Sequence, residues 1–310
     1  MTSFSPAWLP ALPAAAALAI ALLVLLVVRL RERGARRNSP FADDFIRAPG
    51  HNLRRSTEAA YRSLWRAILL VTAWPLLVYA AWAGLHVQLE LPRSTLTDLG
   101  SSAVLVIGFA WFLVRLLRAE GAFRRLRLAL DAEISTGHSL TSLLAQGCRL
   151  VHDVGVPGGR IAHVLVMPSG VHAIRTVACL RRGRGRGRDD VTVHFEGNEL
   201  HLPQGNDTRS VPLARKNAQL LAERLSEELG HGMQVRSAVA LPGWRVEQRA
   251  GSDVRVFNPR EATGLLAGPV MLGSAEIEEI AAILEAMAPD AAPSPEPRTP
   301  VPERKEPRLE

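Results

Sequence analysis

The chain has 310 residues, enough for one or two compact domains with additional segments, and 47% of them are hydrophobic. A formal net charge of +7 and a pI near 10.5 favour anionic neighbours, such as lipid head groups or nucleic acid. Two cysteines, Cys148 and Cys179, are too few for a disulfide framework or a cysteine metal site; they read as small buried thiols in a reducing compartment.

Apolar residues are unevenly spread, and the long uncharged runs lie in the first 120 positions. Trp8 to Leu30 carries no charge before Arg29, and a run approaching ~20 residues is long enough for a membrane helix. A cleaved signal peptide wants positive charge ahead of its apolar run, whereas here the arginines follow it, at Arg29, Arg31, Arg33, Arg36 and Arg37. That cluster predicts a retained anchor with its N-terminus outside. Residues 38 to 60 are polar and read as a loop leading into a short amphipathic piece.

The second run, Ala67 to Leu85, is preceded by Arg54, Arg55, Arg62 and Arg66, and the third, Leu99 to Leu117, is followed by Arg118, Arg124, Arg125 and Arg127. All three spans obey the positive-inside rule, and no ionisable pair lies deep in a span, which argues against transport or proton relay. The expected layout is a membrane region over 1–118, with helices at about 8–30, 67–85 and 99–117. A cytoplasmic α/β domain over 119–288 and a Pro-rich disordered tail over 289–310 follow.

Beyond Arg118 the pattern turns soluble. Ala119 to Gln146 reads as one or two helices, and Gly147 to Val154 as a short strand. Pro157-Gly158-Gly159 then turns the chain into Ile161 to Val166, and Pro168-Ser169-Gly170 turns it again into Val171 to Ile174, so an antiparallel hairpin is expected. Leu180 to Asp190 alternates arginine with glycine. Val191 to Phe195 and Glu199 to Leu202 alternate as strands, Leu213 to Leu229 is a helix stopped by Gly230, Gln234 to Ala240 and Val254 to Phe257 are strands, and Ser274 opens a last helix as its N-cap.

Over about Leu130 to Leu284 this order resembles the NERD (nuclease-related) domain. The resemblance rests on His152-Asp153-Val154, Pro157 to Val166, Pro168-Ser169-Gly170-Val171 and Ala214-Arg215-Lys216-Asn217-Ala218. It implies a restriction-endonuclease-like fold, a mixed central sheet flanked by helices, and for the family at large Mg²⁺-dependent phosphodiester cleavage. A hard cation needs carboxylate oxygens, and a lysine orients the attacking water. The positions matching the family's catalytic groups are His138, Ala162, Arg175 and Val177, and all four are substituted. No metal site is therefore expected, and Mg²⁺ would enter only if displaced acids took over. Glu133 lies five residues before His138 on another helix face, and Asp153 precedes the hairpin. No acid stands at a strand position expected to bring it beside Ala162. His138, His152, His163 and His172 show no ligand spacing and read as structural.

The implied protein is an inner-membrane, multi-pass bacterial protein with a catalytically inactive NERD-like domain in the cytoplasm. The candidate contact for DNA, RNA or anionic lipid is the loop bearing Arg181, Arg182, Arg184, Arg186 and Arg188, against the alternative of a merely solvated loop. The other readings are an active, atypical metal-dependent nuclease and a structural or regulatory membrane protein that docks an unknown protein partner.

Overall fold

Leucine, alanine and tryptophan at helical spacing, with no charge from Ala67 to His86, build a long helix, α1, over His51–Gln88. This computed structural model describes residues 50–88, 94–179, 192–203, 205–248, 252–266 and 268–288, with Ala15, Ala19, Leu22 and Leu26, which are helical. Most of the first apolar run, the Arg-Gly loop at 181–188 and the tail from 289 lie outside the described residues. The described residues divide into two compact units, the first containing Asn52–Asp131 and the second running from Ala132 onward.

In the first unit α1 packs against α2, Thr95–Leu140, through Leu64, Ala67, Ile68, Val71, Leu105, Phe109, Leu116 and Phe123. The indole N–H of Trp74 donates to the Leu105 carbonyl at 3.2 Å, and a methyl group on Gly108 would overlap the Trp74 ring, so only glycine lets the two helices approach there. Trp82 donates to the buried Asp98 carboxylate at 3.1 Å. Outward-facing Leu69, Leu77, Ile107 and Trp111 are exposed. Both helices are long and apolar enough to cross a membrane.

Two expectations change here. Residues 51–60 already belong to α1, and the third run does not end at Leu117: α2 runs unbroken to Leu140, 46 residues in all. Nothing after Arg118 interrupts it, because the stretch has no proline and Glu120 pairs with Arg124 one turn on at 2.6 Å. A 3₁₀ turn, Thr141–Gln146, and Gly147 in the left-handed region (φ 77°) then end it.

The second unit is built on a five-stranded mixed sheet. β1 (Arg149–Val156), β2 (Gly159–Met167) and β3 (Gly170–Thr176) form an antiparallel meander, and β7 (Val235–Ala240) and β9 (Arg255–Phe257) add parallel strands beside β3 in the order β1-β2-β3-β7-β9. The Pro168-Ser169-Gly170 hairpin forms as expected, with Gly170 at φ 127°. β2 is buried along seven consecutive residues, the mark of a strand covered on both faces.

On one face lie α3 (Ser210–Leu229) and α4 (Ser274–Ala286), which contribute Ala218, Leu221, Leu225, Ile277, Ile280 and Leu284. On the other lie Leu140, Leu143, Ala262 and Leu265. Each fully buried aliphatic side chain contributes about 1.5–3 kcal/mol.

A second sheet, ordered β6-β5-β4-β8, comprises Thr192–Glu196 (β4), Glu199–Leu202 (β5), Gly205–Asp207 (β6) and Arg245–Gln248 (β8). Its core includes Phe195, Leu200 and Trp244. β6 and β8 are short and largely polar and leave no alternating apolar pattern to read. α3 starts at Ser210 rather than Leu213, because the Asp207 carboxylate accepts from the backbone N–H groups of Arg209 (2.8 Å) and Ser210 (3.0 Å). The N-cap of α4 is Gly273, not Ser274: the Gly273 N–H donates to Glu276 at 2.7 Å.

Candidate functional site: a buried charge network beside Ala162

Asp153 is the only non-glycine described residue with positive φ, at 57°. The ladder pairs His152 with His163 and Val154 with Ile161, which sets Asp153 across from Ala162. Val151, Val154 and Val156 nevertheless share one core cluster, as do Ile161, Val164 and Val166. Regular alternation would send residues three apart to opposite faces, so both strands switch face at this point. The left-handed backbone at Asp153 makes that switch, in a conformation aspartate tolerates better than most residues.

The kink assembles a site that residue spacing alone missed, and it corrects the expectation that no acid stands beside Ala162. Arg160, at the start of β2, donates from Nη2 to both Glu133 oxygens at 2.8 and 3.0 Å, and its Nη1 meets Asp153 Oδ1. Glu133 is 8% and Asp153 4% exposed, so one guanidinium sits between two nearly dry carboxylates. Burial raises the Glu133 carboxyl above its usual range, while the charge and hydrogen bonds of Arg160, and then the charge of Arg175, pull it back down.

Arg175, on β3, is half-buried and feels the negative charges of Asp207 and Glu133. Val177 is core and packs with Val193, Phe195, Val239 and Trp244, so its position opens onto no solvent or substrate. Ala162 is buried, and His138 is exposed on the last turn of α2.

His152 and His163 show no ligand spacing in the sequence, and the fold brings their Nδ1 atoms to 2.8 Å of one another in the interior. One ring donates and the other accepts, so at least one is neutral. Burial, then the charges of His152 and Arg160, hold His163 well below its usual pKa. Among the described residues no group of three histidine, cysteine or carboxylate side chains is arranged to hold a metal ion. Arg181, Arg182, Arg184, Arg186 and Arg188 lie outside the described residues.

Chemically, two carboxylates that converge on one point are what a hard divalent cation requires, and here the cation is an arginine side chain. A guanidinium that takes both Glu133 oxygens and meets Asp153 Oδ1 holds the place between the two acids that a metal ion would need. Sequence held one cue: an arginine directly after Gly158-Gly159, together with a carboxylate, Glu133, set in a buried helical turn. Compared with protein-family models, curated proteins and solved structures, the chain gives no match.

Proposed function

We propose that the chain is a membrane-anchored, nuclease-related module that binds nucleic acid or a protein partner at the membrane and does not cleave. The observation that carries this reading is Arg160 held between Glu133 and Asp153 beside Ala162. The mixed sheet flanked by helices supports the restriction-endonuclease-like assignment, and α1 and α2 support a multi-pass anchor in a bacterial inner membrane. The N-terminus is outside and the α/β unit in the cytoplasm, following the arginine clusters. The basic Arg181–Arg188 segment supplies the contact with phosphates.

The competing reading, an atypical metal-dependent nuclease, draws on the same convergence of Glu133 and Asp153. Cleavage assays on the purified full chain with Mg²⁺ or Mn²⁺, using single- and double-stranded DNA and RNA, separate the two. The binding module leaves all substrates intact and retains them with a steep salt dependence. Replacing the five loop arginines by alanine lowers that slope. Cleavage that disappears in Glu133→Gln would establish the nuclease instead.

A further inference from the structure

A second charged place lies at the opposite end of the central sheet, where β3, β7 and β9 begin. His172 on β3 pairs with Arg236 on β7, and Arg255 on β9 pairs with Ala238, two residues further along β7. Alternation puts Arg236 on the face of Ala238 and Ala240, Arg255 on that of Phe257, and His172 on that of Ile174. All four of those apolar residues line one core cluster. Three nitrogen-bearing side chains thus leave one face of neighbouring strands.

His172 is 4% exposed, and neither of its ring nitrogens has a hydrogen-bond partner. Burial first, then the charges of Arg236 and Arg255, push its imidazole down to about 4. The buried Ser169 hydroxyl also lacks a partner. A Cβ placed on Gly268 would stand 3.3 Å from Ser169 Cβ and 3.8 Å from Arg236 Nη1, so the serine, the guanidinium and the space left by the glycine border one spot.

Neither arginine has a carboxylate partner among the described residues. Arg236 reaches the Met271 sulfur at 3.9 Å, and Arg255 the Gly264 carbonyl at 3.5 Å. Arg149, Arg160, Arg215 and Arg224 are each paired with an acid. Two like charges side by side above an imidazole with orphaned nitrogens repel one another until an anion lies between them. Guanidinium groups match oxyanion geometry through paired N–H donors. A carboxylate's two oxygens are used up by one such fork, whereas a phosphate's oxygens serve two forks and a further donor.

We propose that Arg236 and Arg255, with His172 and Ser169 beneath them, form a binding site for a phosphate group. The site uses none of the residues of the Arg160 network and stands independently of the nuclease-related reading.

The test is calorimetric titration of the full chain, in maltoside micelles at constant ionic strength, with inorganic phosphate. One saturable site is expected, weakened at least tenfold in Arg236→Gln and in Arg255→Gln and unchanged in Arg149→Gln. Acetate is expected to bind at least tenfold more weakly than phosphate. Both arginines are exposed, so their replacement leaves the core intact; Gly268→Val, which fills the space while keeping both charges, abolishes binding as well. Phosphatidic acid in mixed micelles distinguishes the source: tighter binding than free phosphate marks a lipid head group, and equal or weaker binding a soluble phosphate. Either result supports the site, provided the variants lose it. Absence of saturable phosphate binding, equal binding by the variants, or equal affinity for acetate would overturn the proposal.

Discussion

Arg160→Met is expected to destabilise the α/β unit by about 3–5 kcal/mol, the cost of leaving buried charge without its partner. Methionine keeps the apolar stem and removes the guanidinium, so the loss is chiefly electrostatic: Glu133 and Asp153 lose the cation between them. The effect has a pH signature. The Glu133 carboxyl in the fold lies above its ordinary value, so the folded state holds this proton more tightly than the unfolded chain does. Stability from this group is present below pH 4.5 and declines as the pH rises through its folded value. Without Arg160 that value rises further, so the deficit is largest at neutral pH and narrows on acidification. Glu133→Gln added to Arg160→Met recovers part of the loss. Denaturant unfolding of the full chain in detergent, followed by the part of the tryptophan emission that is absent from a Trp244→Phe control, measures all three, Trp244 being the one tryptophan beyond residue 111. A wild-type midpoint in Arg160→Met would show that the network contributes nothing.

Acid acts with the opposite sign at the other end of the sheet. The imidazole of His172 is held down to about 4 against an ordinary 6.5, so it is neutral in the fold. Its contribution is fully present above pH 6.5 and is lost as the pH falls from 6.5 through about 4, amounting to about 3 kcal/mol over that window. His163 is depressed in the same direction and adds to the acid loss. His172→Gln cannot take up the proton, so its unfolding free energy falls less steeply over this range than that of the parent chain. Parallel pH curves for the two proteins would remove His172 from the account. The two arginines that disfavour its protonation are those proposed to bind phosphate, so phosphate in the buffer is expected to reduce the acid loss.

Much of the frame is written locally and can be read there. Pro168-Ser169-Gly170 fixes the β2–β3 hairpin because a turn needs its glycine at positive φ, and Gly230 ends α3 for the same reason. The apolar runs of α1 and α2 announce themselves by length. What escaped the sequence is non-local or runs against pattern. Asp153 adopts a left-handed backbone inside a run that reads as plain strand, and the face switch it causes is visible only through its partner β2. Glu133 and Arg160 are 27 residues apart and belong to different elements, so no spacing rule joins them. Asp207 caps α3 from outside the periodic stretch, which is why Leu213 looked like the start. His138, Ala162, Arg175 and Val177 were legible one by one, but the ion pairing of Arg160 with Glu133 and Asp153 beside Ala162 was not.

Manganese binding tests the central claim most directly, because Mn²⁺ substitutes for Mg²⁺ at carboxylate sites and its free-ion signal in electron paramagnetic resonance falls on binding. Titration of the full chain in detergent is predicted to leave that signal undiminished beyond weak, salt-sensitive surface association, because Arg160 already occupies the carboxylates. One Mn²⁺ bound per chain, and lost in both Glu133→Gln and Asp153→Asn, would contradict it.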